Sequence, residues 1–289
     1  MPDPSSAVLA VLGAGLVDPA SPVARADDAG LTRGDGCFEG CRIVMDADGR
    51  ATVAKLDAHL ARMTRSAAAL DIGFDAEAWR DLVAVAVAEW TRTGGGEAAM
   101  KLLLSRGPAS TGEPTGLAWI VPVTAETVAL RQNGLKVITL TRGLGSDAFA
   151  QSPWLLGGVK TLSYAINMAA QREAERLGAD DVIFVSADGI VLEAPTGTVV
   201  WSHGRTLHTT PTGDTGILPG TTQQLMFEHA GAAGWQVRET TATVDELHAA
   251  DVVWVISSVR GPVDVVELDG KSRERRPDID AEIRRLSGF

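Results

Sequence analysis

Two helical stripes set among runs of short strands limit this chain to an α/β architecture more sharply than any other feature. In LDAHLARMTRSAAAL the apolar residues fall at 56, 60, 63, 67 and 70, the spacing of one helix face. AEAWRDLVAVAVAEWTRT predicts a second helix, ended by the glycine run at 94–96. Ahead of them, AVLAVLGAGLV reads as a strand pair and CFEGCRIVMDADGRATV as strand, tight turn and strand. Behind them, AMKLLLS and LAWIVPVT are apolar runs that suit buried strands. The alternation restarts at GLKVITLTRG. The expected organisation is a smaller α/β unit over 1–125, a linker over 126–133 and a larger α/β unit over 134–289.

In the second half, DVIFVSADGIVLEA reads as a hairpin around Asp188 and Gly189, and TVVWSHGRTLHTT as another. VVWVISSVRG is a strand running into a loop, and PDIDAEIRRLSGF a closing helix. No apolar run approaches the roughly 20 residues of a membrane span, and AVLAVLGAGLV lacks the basic flank of a signal peptide. A net charge of −11 argues against a nucleic-acid partner. Cys37 and Cys41 are too few for a disulfide framework and lack the spacing of a metal site. No metal ligands are therefore expected, and a reducing cytosol is the expected home.

The candidate chemistry begins in GGVKTLSYAIN, where Lys160 is one of five lysines and stands at the mouth of an apolar segment. Burial or a neighbouring cation turns an amine into a nucleophile or base; otherwise such a lysine snorkels from a helix start. A helical pattern runs on to about Leu177 and stops at Gly178. Tyr164, the single tyrosine, then falls on the Lys160 face, either reaching a phenolic oxygen beside an imine or packing in the core. Glu193 closes the run GIVLEA. It either holds a protonated ring nitrogen or points to water. In ILPGTTQQ, Gly220 precedes Thr221 and Thr222 at a helix start, where free N–H groups and hydroxyls suit a phosphate or simply cap the helix.

Arg62 lies on the stripe side of the first helix, for an anion or as a stem over the core. Arg106 and Arg260 follow strand runs into loops, where sites are built, and are candidates for substrate carboxylates against plain surface placement. Gln223 and Gln224 read as helix surface. Amine, carboxylate, phosphate cradle, arginine and phenol are together what pyridoxal phosphate requires.

Taken in order, these segments resemble the class IV (fold type IV) pyridoxal-phosphate enzymes: branched-chain and D-amino-acid aminotransferases and 4-amino-4-deoxychorismate lyase. RGDGCFEGCRI is similar to their N-terminal motif, HLARM to the segment whose arginine binds the cofactor phosphate, and VKTLSY to the lysine motif. DGIVLEAPTGTVVW resembles the ring-nitrogen glutamate segment, ILPGTTQQ the phosphate turn, and SSVRG the loop closing that side. The resemblance implies an α+β type of two-domain fold like D-amino-acid aminotransferase, with the cofactor at the domain interface. It implies that Lys160 forms the imine, Glu193 holds the ring nitrogen and Tyr164 meets the phenolic oxygen. Arg62, Thr198, Thr221, Thr222 and Ser258 would bind cofactor, and Phe38, Arg106 and Arg260 substrate. A homodimer acting on a small molecule is also implied.

The chain departs from the family in having Ala194 and Thr198 where glycine and asparagine are usual, and Gln223 where the aminotransferases carry arginine. Phe38 stands where the D-amino-acid aminotransferases tend to have tyrosine, and PASTGEPTG lacks their arginine–x–histidine trap. FEGCR, by contrast, is similar to the branched-chain motif. The implied activity is first a lyase, eliminating pyruvate from 4-amino-4-deoxychorismate to give 4-aminobenzoate for folate synthesis. The alternative is an aminotransferase for D-amino acids or branched-chain L-amino acids. A fold kept only for binding or assembly would have lost the lysine or the phosphate turn, and both stand.

Overall fold

The computed structural model describes residues 7–289. The chain forms two compact units. One runs to Ala125 and takes back Val159–Tyr164; the other comprises Glu126–Gly158 and Ala165–Phe289.

The first unit opens with β1 (Val8–Val11) and β2 (Gly15–Val17), the expected strand pair, and a short helix α1 (Ala29–Arg33). Next come β3 (Gly36–Met45) and β4 (Ala51–Val53), joined at a turn where Gly49 takes φ 74°. Helices α2 (Leu56–Ala69) and α3 (Ala76–Arg92) are followed by β5 (Ala98–Ser105) and β6 (Thr115–Pro122). The strands make one antiparallel sheet in the order β2-β1-β6-β5-β3-β4. Leu60, Met63 and Ala67 of α2 join Trp79, Leu82, Val83, Ala86 and Trp90 of α3 in a core with Cys37, Cys41, Ile43, Met100, Leu102 and Leu104. The helical stripe read from the sequence is thus the buried face of α2. At the start of α3, Asp75 accepts from the Glu77 and Ala78 N–H groups, an N-cap of the usual kind.

The second unit begins in α4 (Ala125–Asn133), a helix with no buried side chain where a linker was expected. Then follow β7 (Leu135–Thr141), α5 (Ala165–Arg176), β8 (Asp181–Val185), β9 (Thr198–His203) and β10 (Thr206–Thr209). The chain finishes with α6 (Thr221–Ala230), β11 (Gln236–Glu239), α7 (Val244–Ala249), β12 (Val252–Ser257), β13 (Gly261–Leu268), β14 (Lys271–Ser272) and α8 (Pro277–Leu286). The sheet runs β11-β10-β9-β12-β13-β7-β8, with β14 beside β13. It is mixed: β7 pairs in parallel with β13 and β8, whereas β9, β10, β12 and β13 join antiparallel. Among the described residues no helix is long and apolar enough to cross a membrane.

Two expectations change here. Helix α5 starts at Ala165, not at Lys160, and Val159–Tyr164 belongs with the first unit. The physical reason is strand pairing. The Phe38 N–H donates to the Lys160 carbonyl at 3.0 Å, and the Leu162 N–H to the Gly36 carbonyl at 2.8 Å. Thr161 bridges Cys37 in antiparallel register. Once the backbone groups are satisfied by β3, a helix there would have to give those bonds up.

Candidate active site

The pairing with β3 fixes the backbone of Lys160, whose own N–H donates to Ser66 Oγ of α2 at 3.3 Å. Its side chain reaches two rings: Nζ lies 4.5 Å from the Phe38 centroid and 5.5 Å from that of Tyr164. Those rings meet edge to face, 5.2 Å apart at 86°. Lys160 and Tyr164 therefore do not share a helical face; they converge because an extended segment lays both against Phe38. Rings at this range attract an ammonium while providing no proton acceptor in their faces.

On the other phase of β3 the residues at 37, 39, 41 and 43 are buried, as period two requires. One of them is Glu39, fully enclosed. It receives a fork from Arg62, with Nε at 2.7 Å on Oε1 and Nη2 at 2.7 Å on Oε2. His59 Nδ1 is 2.7 Å from Oε2. Burial pushes the Glu39 carboxyl up, but the bonds from Arg62 and His59 outweigh it and hold the group at about 2. Burial drives His59 down despite Glu39, so the neutral ring donates from Nδ1, and its enclosed Nε2 has no partner. Arg62 is thus held in orientation by an anion.

The remaining candidates lie in the second unit. Glu193 is half-buried, its Oε2 accepting the Leu218 N–H at 3.0 Å and its Oε1 accepting from Arg142 Nη1 at 3.2 Å. At the start of α6, Ser258 Oγ sits 3.1 Å from Thr221 Oγ1 and 3.3 Å from Thr222 Oγ1. Gly220 is the N-cap and offers no side chain to the first-turn N–H groups. A Cβ on Gly220 would lie 2.3 Å from Thr198 Oγ1, so the turn stays open only as glycine. Four hydroxyls, Thr198 included, surround a helix N-terminus, an arrangement that binds anions.

Some predicted residues are engaged elsewhere. Arg106 binds the Asp35 carboxylate and the Leu70 and Asp71 carbonyls, which ties down the end of α2. Arg260 pairs with buried Asp181 at 2.7 Å. Gln223, expected on the surface, is buried in the first turn of α6 at 7% exposure, against Gly220. Sequence reading passed over Glu39, His59 and Arg142. Glu39 had a signal, because it shares the buried parity of Cys37, Cys41 and Ile43. Arg142 had none. Among the described residues no group of three or more His, Cys, Asp or Glu side chains is placed to hold a metal.

The first unit thus holds a lysine beside two rings, and the second a half-buried carboxylate and a helix start opened by glycine. The chain belongs to the amino-transferase class IV family, whose pattern matches residues 36–268. It is 40% identical over 269 residues to the bifunctional aminodeoxychorismate lyase / D-amino acid transaminase of Mycobacterium tuberculosis, covering 91% of each chain. A solved structure of a hypothetical aminotransferase from Mycobacterium tuberculosis, in a PLP-bound form, superposes with TM-score 0.91 at 39% identity, covering 97% of this chain and 98% of that one. A fold IV transaminase from Curtobacterium pusillum gives TM-score 0.90 at 38% identity over 98% of both chains.

Proposed function

We propose that this protein is a pyridoxal-phosphate enzyme whose principal reaction is the lyase step converting 4-amino-4-deoxychorismate to 4-aminobenzoate and pyruvate, a supply step for folate synthesis. The observation that carries the cofactor reading is Lys160, fixed by its backbone and set beside Phe38 and Tyr164. The donor set fits the cofactor: an amine for its aldehyde, Glu193 for its ring nitrogen, and the open turn at Gly220 with Thr198, Thr221, Thr222 and Ser258 for its phosphate. Arg62, oriented by Glu39, adds a cation for the same phosphate.

When bound, pyridoxal phosphate holds the substrate's amine and takes up the electron pair left as a proton departs from the adjoining carbon. Lys160 Nζ serves as the base that removes that proton. The enolpyruvyl ether bond on the neighbouring carbon then breaks. Its oxygen leaves with the three-carbon fragment as enolpyruvate, and the returning electron pair makes the ring aromatic. The fragment takes up one proton, equal in number to that removed by Lys160, to become pyruvate. Phe38 and Tyr164 keep the amine from wandering, and Glu193 fixes the ring-nitrogen end. Phe38, lacking a hydroxyl, favours an unsaturated ring over a small polar amino acid.

Transamination of D-amino acids is the second reading, supported by the two activities named for the 40%-identical relative. It uses the same lysine and needs a keto acid as second substrate. The deciding assay offers 4-amino-4-deoxychorismate with no keto acid. Many turnovers of pyruvate and 4-aminobenzoate are expected. No release, together with bleaching of the yellow protein by D-alanine, would replace the lyase with the transaminase. Lys160→Ala is expected to be colourless, whereas a variant that stayed yellow would remove the lysine assignment.

The proposal includes a cytosolic homodimer. Trp154 is 74% exposed and Ile166 70%, apolar surface that a second copy would cover. Sedimentation equilibrium is expected to give twice the chain mass, falling towards the chain mass in Trp154→Asp.

A further inference from the structure

Arg142 stands just beyond the end of β7. Its guanidinium donates to Glu193 Oε1 and lies 5.7 Å from the Phe184 ring centroid and 5.9 Å from that of Phe149. Guanidinium planes are held by aromatic faces, so two rings restrict its motion. Phe184 is a core residue, 3% exposed. Phe149 lies on the loop that follows Arg142, and it is keyed into a glycine notch. A Cβ on Gly216 would come within 2.3 Å of its ring, and one on Gly157 within 2.6 Å.

The loop itself is fastened. The Arg142 N–H donates to the Val185 carbonyl at 2.8 Å, the Phe149 N–H to the Asp214 carbonyl at 3.2 Å, and the Ala187 N–H to the Leu144 carbonyl at 2.7 Å. Ser146 adds two bonds to the Asp188 carboxylate. A carboxylate with one donor still pivots about its last torsion. Glu193 has different donors on its two oxygens, Arg142 on one and the Leu218 N–H on the other, which fixes its plane.

We propose that Arg142, clamped between Phe149 and Phe184, is a positioning residue that aims the Glu193 carboxylate, and that the Gly157–Gly216 notch around Phe149 sets the clamp. This rests on the reading of Glu193 as the ring-nitrogen partner, so the test separates the two. Apoproteins of the native chain, Glu193→Gln, Arg142→Gln, Arg142→Lys and Phe149→Ala are titrated with pyridoxal phosphate. Each is also titrated with the analogue carrying carbon in place of the ring nitrogen, and tryptophan fluorescence reports binding. A charge-assisted hydrogen bond corresponds to a preference of about tenfold for the nitrogen-bearing ring. The native protein should show that preference, and Glu193→Gln should abolish it.

Arg142→Gln should reduce the preference about fivefold or more while leaving affinity for the analogue within about twofold. Arg142→Lys, with a point charge and no fork, should restore part of it, and Phe149→Ala should fall between. An Arg142→Gln protein that weakens both ligands equally, or keeps the preference intact, overturns the positioning role. Preference retained in Glu193→Gln overturns the Glu193 reading, and the present proposal with it. Thermal melting of each apoprotein identifies any unfolded variant, and Arg142→Lys and Phe149→Ala carry the decision if Arg142→Gln does not fold.

Discussion

Glu39 presents no side-chain surface to water, yet it accepts from Arg62 and His59 at once. Removing one partner of such a buried pair costs about 3–5 kcal/mol, so Glu39→Gln is expected to lower apoprotein stability by that order in urea unfolding. Its pH dependence has a definite sign. The folded carboxyl sits at about 2 against an ordinary 4.5, so its contribution is complete above 4.5 and lost as pH falls towards 2. The gap between native and Glu39→Gln proteins should therefore close in acid. Asp280 behaves in the opposite way. Burial, then the Asp264 carboxylate, push it up to about 6, although Trp254 Nε1 donates to its Oδ1 at 2.8 Å and Arg275 and Arg284 lie near. A raised carboxyl favours folding below its ordinary range and loses that advantage as pH rises through about 6. Asp280→Asn should be the more stable protein above pH 6, by on the order of 3 kcal/mol, with the difference vanishing near pH 4; melting curves across that range measure it. At this scale the motifs supplied the residue types of Lys160, Glu193 and the threonines, and the structure adds their surroundings: two rings beside the lysine and Ser258 beside Thr221 and Thr222. For Arg62, Arg106 and Arg260 a sequence shows a cation but not the carboxylate beside it, Glu39, Asp35 and Asp181 in turn.

At the scale of elements, the start of α6 makes a separable prediction. Gly220→Ala keeps a permitted backbone, φ −77°, but brings a methyl to within 2.3 Å of Thr198 Oγ1. The expected result is an affinity loss of about tenfold or more for pyridoxal phosphate and little change for pyridoxal, which lacks the anion; equilibrium dialysis distinguishes them. Helices α2 and α3 were readable from periodicity because their stripes are long and face one core. The start of α5 was not. The spacing of GGVKTLSY mimics a helical turn, and only the bonds to Gly36 and Phe38 show that those residues extend along β3. Local pattern has no term for a partner more than a hundred residues away. Glu39 lies within FEGCR, and its parity with Cys37 and Cys41 carries the information that it faces inward.

For the molecule as a whole, the strand–helix pattern repeats after Ala125, but no sequence pattern shows the return of Val159–Tyr164 to the first unit. Cys37 lies directly under that returning segment through its bridge to Thr161. Burial, then the Glu39 charge, push its thiol up to about 12, and the same two causes raise Cys41 well above the ordinary thiol range. Neither cysteine should react with a thiol reagent in the native protein, and both should react in one step on global unfolding. A fragment ending at residue 125 is expected to label Cys37 faster than the full chain does. The order of synthesis follows from the same arrangement. A growing chain that has released Ala125 from the ribosome still lacks the strip that completes its first sheet region, and waits about forty residues for it. At about 5–20 residues per second that is roughly 2–8 s with a sheet edge unpaired. By then β7 has also emerged, so the lysine that marks the site arrives as the closing piece of one half while the other is already under construction.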